Sequence, residues 1–159
     1  MRITVIAVGR LQEDYWKKAA AEYEKRLQAY CKLRVVEVPD ERAPERASAA
    51  EREAILQKEG GLILRAADSS APLWALAIDG ERMSSERFSG AIGDFTVHGG
   101  SHIQFVIGGS LGLSPEVLSG AARRISFSDM TFPHQLMRVI LLEQIYRGFR
   151  IARGEPYHK

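Results

Sequence analysis

Cysteine is nearly absent from this chain: Cys31 is the single example among 159 residues. That excludes an internal disulfide framework and fits a reducing cytoplasm, where the protein is expected to reside. Long apolar runs are missing as well. The longest uncharged apolar stretch is far short of a membrane span, so no membrane partner is expected. The opening "MRITVIAVGR" alternates like a strand and lacks the apolar core and small-residue cleavage site of a signal peptide. No repeat, low-complexity stretch or linker interrupts the chain, which reads as a single domain over residues 1–159.

Metal and phosphate chemistry lack their usual residues. The four histidines, His98, His102, His134 and His158, and the one cysteine show no ligand spacing. His98 and His102 are four apart, but Gly99-Gly100-Ser101 between them argues against the helix that would align them. No metal is therefore expected. Gly108 is not followed by the Lys-Ser/Thr pair of a triphosphate loop, and no G-x-G-x-x-G of a dinucleotide fold is present. A serine nucleophile of the hydrolase type is likewise not expected.

What is there begins with an ordinary globular composition, 45% hydrophobic and 26% charged, long enough to bury a core. The net charge of +2 is unevenly spread. Residues 123–159 hold seven basic and three acidic side chains, hence +4, which leaves −2 for residues 1–122. Such asymmetry permits a polyanionic partner at the C-terminal end, and a solvated helix face with scattered arginines would show it equally.

Hydrophobic periodicity predicts strands at 2–9, 33–38, 72–79, 102–108 and 124–128. Between them lie helical patterns. Trp16, Ala19, Tyr23, Leu27 and Tyr30 make one apolar stripe, of the kind that faces a core. The alanine-rich segment from Asp40 to about Ala67 suggests an amphipathic helix interrupted or ended near Gly60-Gly61. Ser84-Ser85 opens a helix running towards Val97, and Ser114 caps a short one with Pro115 at its first position. The longest helix runs from Pro133 to Ala152. Met137, Leu141, Ile145 and Phe149 line one face, and Leu136, Val139, Leu142 and Tyr146 an adjacent one. One sheet covers one face, so a second partner is expected, and a symmetric copy giving a homodimer is the favoured one.

Strand and helix alternating in this way predict an α/β domain: a mostly parallel sheet with helices on both faces. Ligands of such sheets bind beyond the carboxyl ends of the strands, so the loops "DGERMSS", "GGSLGLS" and "SDMTFPH" are the candidate site. Gly108, Gly109 and Gly112 remove side chains where a flat ligand could lie against the main chain. "FSDMTF" (127–132) adds main-chain donors and acceptors. This suits an adenine held by backbone hydrogen bonds between apolar walls, and nothing in it is arranged for a phosphate.

"FVIGGSLGLSPEV" followed by "ISFSDMTFPHQLMRVILLEQIYRGFRIARGEPYHK" resembles the ribosomal large-subunit RNA methyltransferase H family. The resemblance runs over essentially the whole chain and is strongest over the last third. These small SPOUT-class enzymes methylate N3 of a pseudouridine in 23S rRNA. The resemblance implies a SPOUT-type α/β knot, with a C-terminal trefoil knot over about residues 102–159. It also implies S-adenosylmethionine as methyl donor, with contacts at Leu76, Gly108, Phe127, Ser128, Asp129, Met130, Thr131 and Phe132. A donor with a cationic sulfonium and no phosphate explains a glycine turn without phosphate chemistry.

Methyl transfer requires the acceptor nitrogen in line with the methyl–sulfur bond. A weakly acidic N3–H benefits from a base or an anion stabiliser. In the matching tail Tyr157 and His158 are the catalytic candidates. Arg147, Arg150 and Lys159, with His134, are the substrate-binding candidates. The tail is expected to fold over the donor, in its own chain or across a dimer. At this length no appended RNA-binding module is expected, so the partner would be 23S rRNA shaped by the ribosome, and not DNA. A SPOUT enzyme for another RNA nucleotide, and a non-catalytic module binding a nucleotide such as flavin mononucleotide, are the competing readings.

Overall fold

Five strands and five helices alternate throughout the computed structural model, which describes residues 1–157. In chain order they are β1 (Arg2–Val8), α1 (Asp14–Leu27), β2 (Lys32–Val38), α2 (Ala49–Ala66), β3 (Leu73–Arg82), α3 (Ser85–Val97), β4 (His102–Ile107), α4 (Pro115–Gly120), β5 (Arg123–Ser126) and α5 (His134–Ala152). The strands form one sheet in the order β2-β1-β4-β3-β5, and every pairing is parallel. Strands buried on both faces need apolar residues at nearly every position, and β4 at the centre is buried along its whole length.

Alternation along the strands separates two cores. Ile3, Val5, Phe105 and Ile107 face α1, α3 and α5, where Leu27, Phe88, Leu141 and Ile145 meet them. Ile6, Val8, Ala75 and Val106 face α2 and α4 through Ile63 and Val117. Ser84 and Ser114 cap α3 and α4 as expected, each accepting a backbone N–H three residues on. Cys31 packs as a small apolar group, its thiol pushed up to about 11 by burial.

Two expectations change. The first concerns α2, which runs unbroken through Gly60-Gly61. A glycine inside a helix costs roughly 1 kcal/mol relative to alanine. Here the missing side chain is required, because a Cβ on Gly60 would lie 2.3 Å from Ser114 Oγ. The glycine lets the N-terminus of α4 dock on α2. The helix itself begins at a capping box, Ser48 with Glu51, and not at Asp40.

The second concerns α5. Leu141, Leu142, Ile145 and Tyr146 are buried within the single chain, between the sheet and the flanking helices α1 and α3. The chain's own sheet and helices thus cover much of both apolar faces, while Leu136, Met137, Val139 and Phe149 stay half-buried.

At the amino ends of the strands, His102 is buried with Nε2 3.0 Å from Thr4 Oγ1 and Nδ1 3.5 Å from Asp68 Oδ2. Burial, reinforced by the charge of Arg2 and opposed by Asp68, holds its pKa below the ordinary 6.5. A lowered histidine pKa means that the unfolded chain binds the proton more readily. This stability is present above about pH 6.5 and is lost as pH falls towards the folded-state value. Denaturant midpoints at about pH 7.5 and about pH 5.5 should therefore diverge more for the parent than for His102→Gln. Equal acid losses in both would contradict this.

Candidate functional site

A cleft of ≈ 600 Å³ opens at the carboxyl ends of β3, β4 and β5. Its floor follows from the register, since Leu76 pairs with Ile107 on one side and Ile125 on the other, a row across three strands. Two loops wall it, residues 108–112 after β4 and residues 127–134 after β5. Within the first, Gly109 and Gly112 form an antiparallel bridge, and Gly112 takes a positive φ of 87°. That conformation is open to glycine at little cost. The second loop is fixed at its start by Phe127, edge-on to Phe88 of α3 at 5.5 Å. A turn follows in which Met130 N–H donates to Ser128 Oγ and Ser126 Oγ donates to the Ser128 carbonyl.

Loop 127–133 also covers distance. β5 is the edge strand beyond β3, yet α5 begins beside the end of β1. There Arg138 Nη2 donates to the Gly9 carbonyl at 2.6 Å and Gln135 Oε1 accepts from Gln12 N–H at 2.8 Å. The segment therefore passes over the ends of β3 and β4.

Among the described residues no lysine, arginine, aspartate or glutamate lines the cleft, and His134 is its one titratable side chain. Leu76, Gly108, Phe127, Ser128, Met130, Thr131 and Phe132, named as donor contacts, line it, and so does His134, named for the substrate. Asp129 does not. Its exposed carboxylate pairs with Arg82 outside the cleft. Pocket residues that sequence reasoning missed include Ala77 and Ile78. A register shift between Leu76 and Glu81 in the β3–β5 ladder bulges them into the rim, a feature without a sequence signal. Met137 also lines the cleft, although its spacing placed it only on an apolar helix face.

The remaining candidates gather elsewhere. Tyr157 packs edge-on to Tyr146 at 5.0 Å, donates to Glu143 Oε1 at 3.1 Å and lies under the Arg147 guanidinium. Burial pushes its phenol well above the usual range, with help from Tyr23 and the Glu143 charge. In this position Tyr157 is a hydrogen-bond donor and not a base. Arg147 binds Glu143 at 2.6 Å, and Arg150 binds Glu155 at 2.9 Å. This cluster sits roughly 15 Å along α5 from Met137, at 1.5 Å rise per residue. His158 and Lys159 lie outside the described residues.

Arginines of the C-terminal segment also meet acids within the fold. Arg123 lies near Glu81, Arg124 near Asp79, Arg138 on Glu37 and Arg153 near Glu155.

The chain does contain a G-x-S-x-G spacing, Gly108 to Gly112, so the case against a hydrolase nucleophile rests on geometry. Ser110 is exposed, and no non-glycine residue among those described takes a positive φ, so the strained turn of a nucleophile elbow is absent. His98 and His102 bond elsewhere, to the Asp94 carbonyl and Thr4. Among the described residues no group of three or more His, Cys, Asp or Glu could hold a metal.

The family described as "Predicted SPOUT methyltransferase" matches residues 1–158, which places the chain in the SPOUT methyltransferase class. Solved structures agree on the fold. A probable methylase family protein from Haemophilus influenzae superposes with a TM-score of 0.54 at 12% identity, over 99% of this chain and 70% of that one. A Legionella pneumophila methyltransferase solved with bound SAM superposes with a TM-score of 0.50 at 9% identity, over 96% of this chain and 66% of that one.

Curated relatives narrow the class. The ribosomal RNA large subunit methyltransferase H proteins of Ligilactobacillus salivarius and Bifidobacterium adolescentis are each 55% identical to this chain over the full length of both sequences. That of Clostridium kluyveri is 53% identical, also end to end. The chain belongs to the ribosomal RNA large subunit methyltransferase H family.

Proposed function

We propose that this protein transfers the methyl group of S-adenosylmethionine to N3 of a pseudouridine in 23S rRNA. The observation that carries the reading is the cleft itself. Its walls are mostly main chain and apolar side chains, with a few hydroxyls and His134, and no lysine or arginine lines it among the described residues. An adenosine with a sulfonium fits such walls, whereas flavin mononucleotide would leave its phosphate without a cationic partner. The trefoil threading of the C-terminus belongs to this reading. It is supported by the return of residues 127–133 across the ends of β3 and β4 to Gly9.

The protein's part in the chemistry is positional. A sulfonium methyl is already electrophilic, so rate comes from aligning the acceptor nitrogen with the methyl–sulfur bond. His134 is the one titratable group at the cleft among the described residues, and it stands where a polar contact to the acceptor is possible. The tail, with Tyr157, His158 and Lys159, completes the acceptor site in this reading, and Arg147 and Arg150, bound to Glu143 and Glu155, hold its base beside the RNA. Because Tyr157 is held far along α5 in its own chain, the tail reaches a cleft across a homodimer.

The paired arginines bear on the substrate. A protein with a net charge of only +2, whose C-terminal arginines lie beside acids, gains little from phosphate attraction on free RNA. Recognition then depends on the shape of the assembled ribosome.

The test is tritiated-methyl transfer to ribosomes from a strain lacking the modification, run beside protein-free 23S rRNA. Ribosomes should be labelled at one pseudouridine, at least about tenfold faster than the naked RNA, as weak electrostatic affinity implies. Label on another nucleotide, or equal rates on both substrates, would refute the respective part. In the same assay, chains cut after residue 155 mixed with cleft-defective chains should regain transfer. No recovery would place the tail outside the partner's site.

A further inference from the structure

Glu59 is a glutamate buried in α2, 3% exposed, in a part of the fold that the proposed chemistry leaves unused. Its Oε1 accepts the Glu41 N–H at 2.9 Å, while Oε2 is buried without a hydrogen-bond partner. Both oxygens lie within 3.2 Å of the point where a Cβ of Gly109 would stand. Gly109 lines the cleft on its other side, so the carboxyl presses on the cleft wall from behind. A buried, partly unsatisfied carboxyl is costly and calls for a reason.

Among the described residues no cation acts on it. Lys58, its neighbour on α2, is bound to Glu41 Oε1 at 2.8 Å. From the loop after β2 it faces Asp40 and Glu41, both acidic, and beyond Asp40 stands His134 of α5, with Asp40 and His134 flanking Gly9. Burial and those two acids push its pKa upward against the Glu41 N–H bond. A charge kept in this state is stabilised when a cation arrives on the far side of Gly109.

We propose that Glu59 is a positioning residue of the donor cleft, a buried carboxylate behind Gly109 that favours a sulfonium over the neutral thioether left after transfer. The inference rests on S-adenosylmethionine being the donor. The donor carries a positive sulfur and S-adenosylhomocysteine does not, so a fixed negative charge discriminates between them. At about 10 Å and an effective dielectric near 20, such a charge is worth about tenfold in affinity. By linkage, donor binding tightens as pH rises through the Glu59 pKa, while product binding stays flat.

The experiment is calorimetric titration of S-adenosylmethionine and S-adenosylhomocysteine into the parent protein, Glu59→Gln, Glu59→Asp and Asp40→Asn. Glu59→Gln keeps an acceptor for Glu41 and should lower the donor-to-product affinity ratio about fivefold or more. It should also remove the pH dependence of that ratio. Glu59→Asp retains the charge and should hold the ratio even where both affinities fall. Asp40→Asn, altering an exposed acid, should leave the ratio within about twofold. Equal losses for both compounds in Glu59→Gln, with the ratio intact, would reduce Glu59 to a structural part and overturn the proposal. A parent protein that binds neither compound would overturn the donor reading and this proposal with it.

Discussion

Gly108→Ala should abolish donor binding, weakening it at least about 100-fold by calorimetry, as expected when a pre-formed site cannot close. A Cβ on Gly108 would stand 2.3 Å from the Gly112 carbonyl oxygen and 2.5 Å from its carbon. These are main-chain atoms and cannot rotate aside as a flexible side chain would. The Gly109–Gly112 bridge would have to open, carrying with it the wall that faces the ligand. The damage is local, because Leu113 and Val117 beyond the loop remain in the α2–α4 core. Stability should fall by about 1–3 kcal/mol, the usual cost of overpacking, so the variant stays folded while binding is lost. Affinity within threefold of the parent would mean that the ligand does not use this loop.

The largest loss of stability is expected at Arg138. Its guanidinium is almost fully buried, pairing through Nη1 with Glu37 Oε1 at 2.5 Å and through Nη2 with the Gly9 carbonyl. It thus ties the first turns of α5 to the ends of β1 and β2. Arg138→Ala leaves the Gly9 carbonyl unpartnered, opens a cavity and removes a long-range tie in the first turns of α5, leaving the Gln135–Gln12 bond there. Glu37 is partly exposed and regains water, which moderates the loss. A cost of about 3 kcal/mol follows, which for a domain of this size is a drop of roughly 6–12 °C in Tm. Arg138→Lys keeps the charge but not the two-pronged geometry and should fall between. An alanine variant melting within about 2 °C of the parent would show that α5 is held by its apolar faces alone.

The two predictions differ in how legible their residues were. Gly108 sits where a strand meets a glycine-rich turn, and the rule that parallel sheets bind at their carboxyl ends pointed to it directly. Strand alternation, the stripe of α1 and the serine caps of α3 and α4 were readable for the same reason: each is a local signal, set within a few residues. Arg138 looked like one more basic residue in a tail with surplus charge. Its burial depends on Glu37 and Gly9, more than 100 residues earlier in the chain. The same holds for Glu59 beneath Gly109 and for Gly60 against Ser114. In the Gly60 case a local rule, that paired glycines interrupt a helix, lost to tertiary packing.

The cleft shows where local reading reaches its limit. Residues 127–132 were assigned to it as a run, yet Asp129 turns outward to Arg82 while its neighbours line the wall. A loop has no fixed period, so side-chain direction within it follows from the surfaces it crosses. Three arginines after residue 122 likewise meet acids on distant strands, Arg123 near Glu81, Arg124 near Asp79 and Arg138 on Glu37.

By itself, the order of residues determined the alternating elements, the parallel α/β class, the strand ends at which the cleft opens and the family motifs. Those follow from short-range periodicity and turn chemistry. Only the tertiary structure decided which side chains face the cleft, that α1 and α3 cover much of α5, and that a carboxyl lies buried behind Gly109 and a guanidinium beside Gly9. Burial and pairing join groups distant along the chain, and their free energies exist only once the layers have closed upon one another.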